Sequence, residues 1–167
     1  VDCIINAIPH IQTEQPFRVH IVGDGSELEN CKKLAEQLGV QDRICFHGRY
    51  PQSEMERFYR LADCFLLTLR GGDFIGMTLP AKSQSYLSAG KPIVAAVDGA
   101  ASEMMREADC GEVVTAGDVI GLAEKMSQIA DQFERYREKG KNGRKFYEEN
   151  YTKEKFMKSL ETLLSEK

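Results

Sequence analysis

The sequence predicts an α/β domain: a doubly wound, Rossmann-like parallel sheet with helices on both faces. Two observations carry the sheet. Short apolar runs rich in β-branched residues alternate with longer segments of helical periodicity along the whole chain. Glycine-containing turns follow several of those runs and open the helical segments. A third observation bounds the size. The 167 residues are 42% hydrophobic and 29% charged, the make-up of one globular domain with its own core.

Residues 1–11 (VDCIINAIPHI) place Val1, Ile4, Ile5, Ile8 and Ile11 at helical spacing. An α/β domain normally opens with a strand, and this chain has no initiator Met, so the natural protein is expected to extend upstream. Residues 17–22 (FRVHIV) read as a strand broken by Gly23-Asp24-Gly25. Ser26 and Glu29 have capping-box spacing and predict a helix to about Gly39. Residues 43–46 form the second strand, ending at His47-Gly48. Ser53 and Glu56 make a second capping box, before a helix that buries Met55, Phe58, Tyr59 and Ala62.

Residues 63–69 (DCFLLTL) are a third strand, apolar enough to be central. A glycine-rich loop follows at 70–78. The next helix begins over 78–81 with Pro80 in its first turn, and Gly90 before Pro92 ends it. Residues 93–97 and 111–115 are the last strands, with a short helix at 101–108 between them. Asp118 caps a further helix, and the remainder is helical with a break at the glycines near 140–143. The total is five strands and six or seven helices.

Composition excludes several classes. A net charge of -4 lacks the concentrated positive field that a nucleic-acid partner needs. Five scattered cysteines without CxxC spacing give neither a disulfide framework nor a zinc site. Cys45 and Cys64 lie in apolar runs and read as small core residues, which fits a reducing cytoplasm. No run approaches the roughly 20 apolar residues needed to span a bilayer, and no signal peptide is visible. The spacing of His10, His20 and His47 suggests no metal site, and all three read as structural. No Ser-His-Asp or Cys-His nucleophile arrangement stands out.

In such folds ligands bind beyond the carboxyl ends of the strands, which singles out the loops at 23–26, 47–52, 70–81 and 97–101. Gly23-Asp24-Gly25 lets a ligand approach the backbone at a helix amino end. As a dinucleotide fingerprint it is weak, because Leu28 stands where the third glycine belongs, and a tight turn accounts for it equally well. The stretch at 70–92 (RGGDFIGMTLPAKSQSYLSAGKP) says more. Gly71, Gly72 and Gly76 offer backbone N–H groups to a phosphate. Lys82 falls in the first turn of a helix, where the dipole opposes a cation, and a bound diphosphate would remove that conflict. Gln84 and Ser85 bring short polar groups for sugar or ribose hydroxyls, whereas Tyr86 and Leu87 read as core.

Three blocks, VHIVGDGSELE, RICFHGRYPQSEMERFYRLADCFLL and PAKSQSYLSAGKPIVAAVDG, resemble in order and spacing the C-terminal domain of family 4 (group 1) glycosyltransferases. These are retaining enzymes of GT-B fold, and the likeness covers essentially the whole chain. The third block is most similar to the branch that builds bacterial cell-surface polysaccharides. The resemblance implies a UDP- or GDP-sugar donor, a glycan or lipid-linked acceptor, no required cofactor or metal, and a cytoplasmic enzyme, with peripheral membrane association of the full-length protein. It implies diphosphate contacts at Gly76, Met77, Thr78, Leu79 and Pro80, and base contacts at Gly48, Arg49, Tyr50 and Pro51. With Gly23, Asp24, Gly25, Lys82, Gln84 and Ser85 these form the candidate donor site. Many members carry two glutamates eight positions apart, and Met77 and Ser85 stand in their places here.

By the same resemblance, residues 1–167 are a donor-binding domain lacking its N-terminal partner, which would hold the acceptor site. A C-terminal helix at about 142–167 would pack toward that partner through Phe156, Leu160, Leu163 and Leu164, or else dock on this domain. The isolated piece is expected not to turn over donor. A GT-B nucleotide-sugar epimerase and a catalytically silent binding module remain alternatives, with a dehydrogenase domain a third.

Overall fold

The computed structural model describes residues 1–72 and 78–165. Two parallel sheets hold five strands among these residues. One pairs β1 (Val19–Val22) with β2 (Ile44–Gly48), and the other runs β3 (Phe65–Thr68), β4 (Ile93–Ala96), β5 (Gly111–Val114). Helices α1 (Asp2–Ala7), α2 (Leu28–Gln37), α3 (Met55–Leu61), α4 (Ala81–Ala89), α5 (Gly99–Glu107) and α6 (Val119–Asp131) connect or flank the strands, and α7 (Phe133–Asn150) and α8 (Lys153–Ser165) follow.

Strand β4 shows why the fold is doubly wound. Its four residues are fully buried and alternate between two cores. Val94 and Ala96 join Ile4, Ile5, Ile8, Val19, Ala35, Ile44 and Leu122, from α1 and the 3-10 turn after it, β1, α2, β2 and α6. Ile93 and Ala95 join Phe65, Leu67, Leu87, Met104 and Met105, from β3, α4 and α5, with Phe146 and Tyr147 of α7 packed against them. Each fully buried Ile or Val contributes about 1.5–3 kcal/mol, so the chain's apolar weight sits where both faces are covered. The centre of that sheet is therefore β4. The 63–69 run, expected to be central, supplies β3, which has a ladder partner on one side only among the described residues.

The helix starts differ from expectation by one residue. The N-cap of α2 is Glu27, and its carboxylate accepts from the Asn30 side chain at 3.0 Å. A turn closed by Leu28 N–H to the Gly25 carbonyl (3.1 Å) leaves Ser26 outside the helix. The N-cap of α3 is Glu54, ion-paired to Arg57 at 3.1 Å, because a 3-10 turn over Gln52–Glu54 precedes it. The paired side chains are thus 27/30 and 54/57, not the 26/29 and 53/56 that the serines suggest. The face of α3 is half-buried rather than buried. Asp118 does cap α6, its side chain accepting from Gly121 N–H at 2.8 Å.

The expected break at 140–143 is absent. Helix α7 runs through both glycines and ends at Asn150. A Cβ on Gly140 would lie 2.5 Å from the Gly90 carbonyl oxygen, and one on Gly143 would lie 2.9 Å from Cys110 Cβ. The glycines let α7 press onto the end of α4; they do not break it. The chain breaks at 151–152 instead, and α8 leaves with Phe156, Met157, Leu160, Leu163 and Leu164 exposed. Those five side chains are not buried against the described residues.

Candidate functional site

Parallel pairing gathers the loops after β1 and β2 at one end of their sheet, and those after β3, β4 and β5 at one end of theirs. Loops 23–25 and 48–50 are joined directly. Gly23 N–H donates to the Gly48 carbonyl at 2.8 Å across a one-residue antiparallel bridge. Gly23 (φ 140°) and Gly48 (φ 72°) both adopt backbone angles that side chains disfavour, and a Cβ on either would meet no atom within 4 Å. Both glycines therefore leave open space where a side chain would stand. Asp24, Gly25 and Arg49 are exposed.

Tyr50 is held from behind. Its ring meets Phe58 edge-on at 5.0 Å, and the Arg57 guanidinium lies 4.5 Å from its centroid. Phe58 also meets the His47 ring at 5.1 Å. Helix α3 thus fixes the loop that the sequence marks for base contacts.

Helix α4 begins at Ala81, with Pro80 as an extended N-cap that makes no side-chain hydrogen bond. The stretch at 78–80 leads into the helix rather than forming its first turn. Pro80 itself has no side-chain group to cap the first-turn amides of α4, and the Ser83 N–H donates to the Pro80 carbonyl at 2.9 Å. Lys82 is the second helical residue, exposed, and makes no ion pair with any described residue. Gln84 is exposed and Ser85 half-buried. Thr78 is exposed, whereas the Leu79 side chain packs against the second core and leaves only its backbone for a ligand. Gly76 and Met77 lie outside the described residues.

Three further features emerge from the packing. Ser83, the third residue of α4, is fully buried, and its Oγ finds no hydrogen-bond partner among the described residues. Its spacing of four from the buried Leu87 was the available signal. Asp98, at the end of β4, accepts from Ala116 N–H at 3.2 Å and lies beside Gly71. His20 and His47 come together across the β1–β2 ladder, Nδ1 to Nε2 at 2.8 Å. Burial, with His47 and Arg18 nearby, lowers the His20 ring below its ordinary value, so the neutral ring is its resting form.

Two surface depressions lie elsewhere. One, bounded by residues 12–15 and Asp131, precedes β1, and the other, around Met105, Asp109 and Lys139, flanks the start of β5. Both sit at amino ends of strands, opposite the loops described above. Among the described residues no helix is long and apolar enough to cross a membrane.

A family model described as glycosyl transferases group 1 matches residues 1–146. The chain is 26% identical over 163 residues to N-acetyl-alpha-D-glucosaminyl L-malate synthase of Bacillus anthracis, covering 98% of this chain and 41% of that protein. It is 28% identical over 154 residues to the GDP-mannose-dependent alpha-(1-6)-phosphatidylinositol monomannoside mannosyltransferase of Mycolicibacterium smegmatis, covering 90% and 40%. Among solved structures, Anabaena Alr3699/HepE in complex with UDP superposes with a TM-score of 0.85 at 18% identity, over 99% of this chain and 44% of that one. Sucrose-phosphate synthase from Thermosynechococcus elongatus gives 0.82, also at 18% identity, over 99% and 41%. The chain therefore spans less than half the length of these relatives.

Proposed function

Because this chain belongs to the group 1 glycosyl transferases, we propose that it is the donor-binding half of an enzyme that moves a sugar from a nucleoside diphosphate to an acceptor. The observation that carries the reading is the amino end of α4, with Pro80 as its N-cap and the exposed Lys82 in its first turn. It sits beside a glycine-rich loop at the carboxyl end of β3, where a diphosphate would meet backbone N–H groups, a dipole and a cation together. The base would lie over Gly48, Arg49 and Tyr50, with Gly23, Asp24 and Gly25 closing the same rim. UDP in the complex of a structural neighbour supports a nucleotide donor.

In this reading the chain supplies electrostatics and position. As the glycosidic bond to the diphosphate breaks, negative charge grows on the departing oxygen. Fixed N–H dipoles and the Lys82 ammonium stabilise that charge without having to reorganise. No side chain on this half is assigned as nucleophile or general base. The acceptor would enter from a second domain, against which the exposed stripe of α8 would pack, and the product would be a cell-surface glycan. The choice between UDP and GDP is left to measurement.

The test is a titration of isotope-labelled chain with UDP, GDP and NAD, followed by amide NMR shifts. Shifts at 23–25, 48–50 and 78–85 with UDP or GDP are expected, and Lys82→Ala should weaken that binding about tenfold, or ~1.4 kcal/mol. A response to NAD alone, or shifts centred on the amino ends of the strands, would overturn the assignment.

A further inference from the structure

We propose that His20, Cys45 and His47 form a binding site for one divalent ion of the zinc class. The ladder builds it. His20 on β1 pairs in register with Cys45 on β2. His47, two residues further along β2, shares their face because strand side chains alternate. One ligand atom from each residue falls within 4.8 Å of the other two. The two imidazoles already lie nearly parallel, 14° apart, with their facing nitrogens at 2.8 Å, so one ring nitrogen acts as donor and the other as acceptor.

Two imidazoles and one thiolate are the donor set that borderline ions such as Zn2+ and Co2+ favour. A tetrahedral ion with bonds of about 2.0–2.1 Å to nitrogen needs those nitrogens roughly 3.3 Å apart. The rings would therefore separate by about half an ångström as the ion replaces the shared proton. Cys45 Sγ would lose its proton on binding. Contact with Phe58 fixes the His47 ring from the side of α3, whereas His20 is exposed. The fourth position thus opens to solvent and would hold water or an added ligand. The site lies immediately before the Gly23–Gly48 bridge, so an ion there would staple β1 to β2 beneath the two loops that the bridge joins. The assignment does not depend on the donor reading.

Cobalt reports directly on thiolate ligation. The protein, kept reduced with a phosphine and titrated with Co2+, is expected to develop a thiolate-to-cobalt charge-transfer band that saturates at one equivalent and is displaced by Zn2+. Cys45→Ser should abolish the band, and Cys3→Ser should retain it. His20→Ala, at an exposed position, should weaken binding at least about tenfold, since losing even an outer-shell partner costs about 10–100-fold. Zn2+ should raise the melting temperature of the parent but not of Cys45→Ser, with far-UV circular dichroism checking that each variant is folded. Absence of a band and of a thermal shift in excess ion, or a band that survives Cys45→Ser, would overturn the proposal.

Discussion

Gly140→Ala puts two principles in direct opposition. Gly140 lies inside the 18-residue helix α7, where intrinsic propensity alone would make alanine more stable by about 1 kcal/mol. The geometry argues the other way. The added methyl would sit 2.5 Å from the Gly90 carbonyl oxygen, 2.9 Å from the Lys91 carbonyl carbon and 3.0 Å from Lys91 Cα. All three are backbone atoms, so no rotamer change relieves the contact, and α7 must lift from the end of α4. Overpacking of this kind costs about 1–3 kcal/mol, and a rigid backbone neighbour puts it at the upper end. Set against the propensity gain, the net loss is about 2 kcal/mol. For a domain of this size that lowers the melting temperature by roughly 4–8 °C. Gly143→Ala should also destabilise, because its nearest contact, Cys110 Cβ at 2.9 Å, is fixed to the backbone and only Leu87 Cδ2 at 3.2 Å can turn away. Thermal and urea denaturation followed by circular dichroism would measure both. A Gly140→Ala protein as stable as the parent, or more stable, would refute the packing account of these glycines.

Other expectations follow from single residues. Gly25 has no positive φ and open space where a Cβ would go, so Gly25→Ala should hold or raise stability by about 0.4–1 kcal/mol while weakening UDP or GDP binding about tenfold; unchanged affinity would show that no ligand approaches that backbone. Burial on its own would lower the Lys139 ammonium, but hydrogen bonds and charge from Asp109 and Glu112 outweigh it and raise the group above 10.5. The stability it contributes is complete below 10.5 and is lost as pH rises through the folded value. The urea-denaturation difference between the parent and Lys139→Met should therefore shrink with pH in the alkaline range, and a pH-independent difference would contradict this. Burial pushes the Cys64 and Cys110 thiols up to about 12, so both should resist iodoacetamide in the folded protein and react on unfolding, as read by peptide mass spectrometry.

What the sequence made legible was whatever local pattern decides. The five apolar runs became the five strands, and Asp118 caps its helix because Asp118 and Gly121 lie within one turn. Misreadings arose where a distant partner or an extra turn before the helix intervened. Gly140 and Gly143 look like helix breakers until Gly90 and Cys110 are seen against them. Ser26 and Ser53 have the spacing of caps, but the turns before the helices shift each start by one residue. His20 and Cys45 are 25 positions apart, and only the strand register reveals them as neighbours. The candidate loops, by contrast, were placed by a rule about strand ends that needs no contact at all.

Arg144 gives α4 a further property. Its guanidinium donates to the Ser88 carbonyl in the last turn of that helix, next to the Gly140 contact. A cation at the carboxyl end complements the negative pole of the helix, and α7 pins that end in place. Helix α4 is thus held at both ends, by Arg144 and α7 at its carboxyl end and by the burial of Ser83 and the packing of Leu79 at its amino end. An anion arriving there meets a field of fixed direction and cannot draw the helix toward itself. Any adjustment of this element to ligands of different size would then fall to the Lys82 side chain rather than to the helix axis.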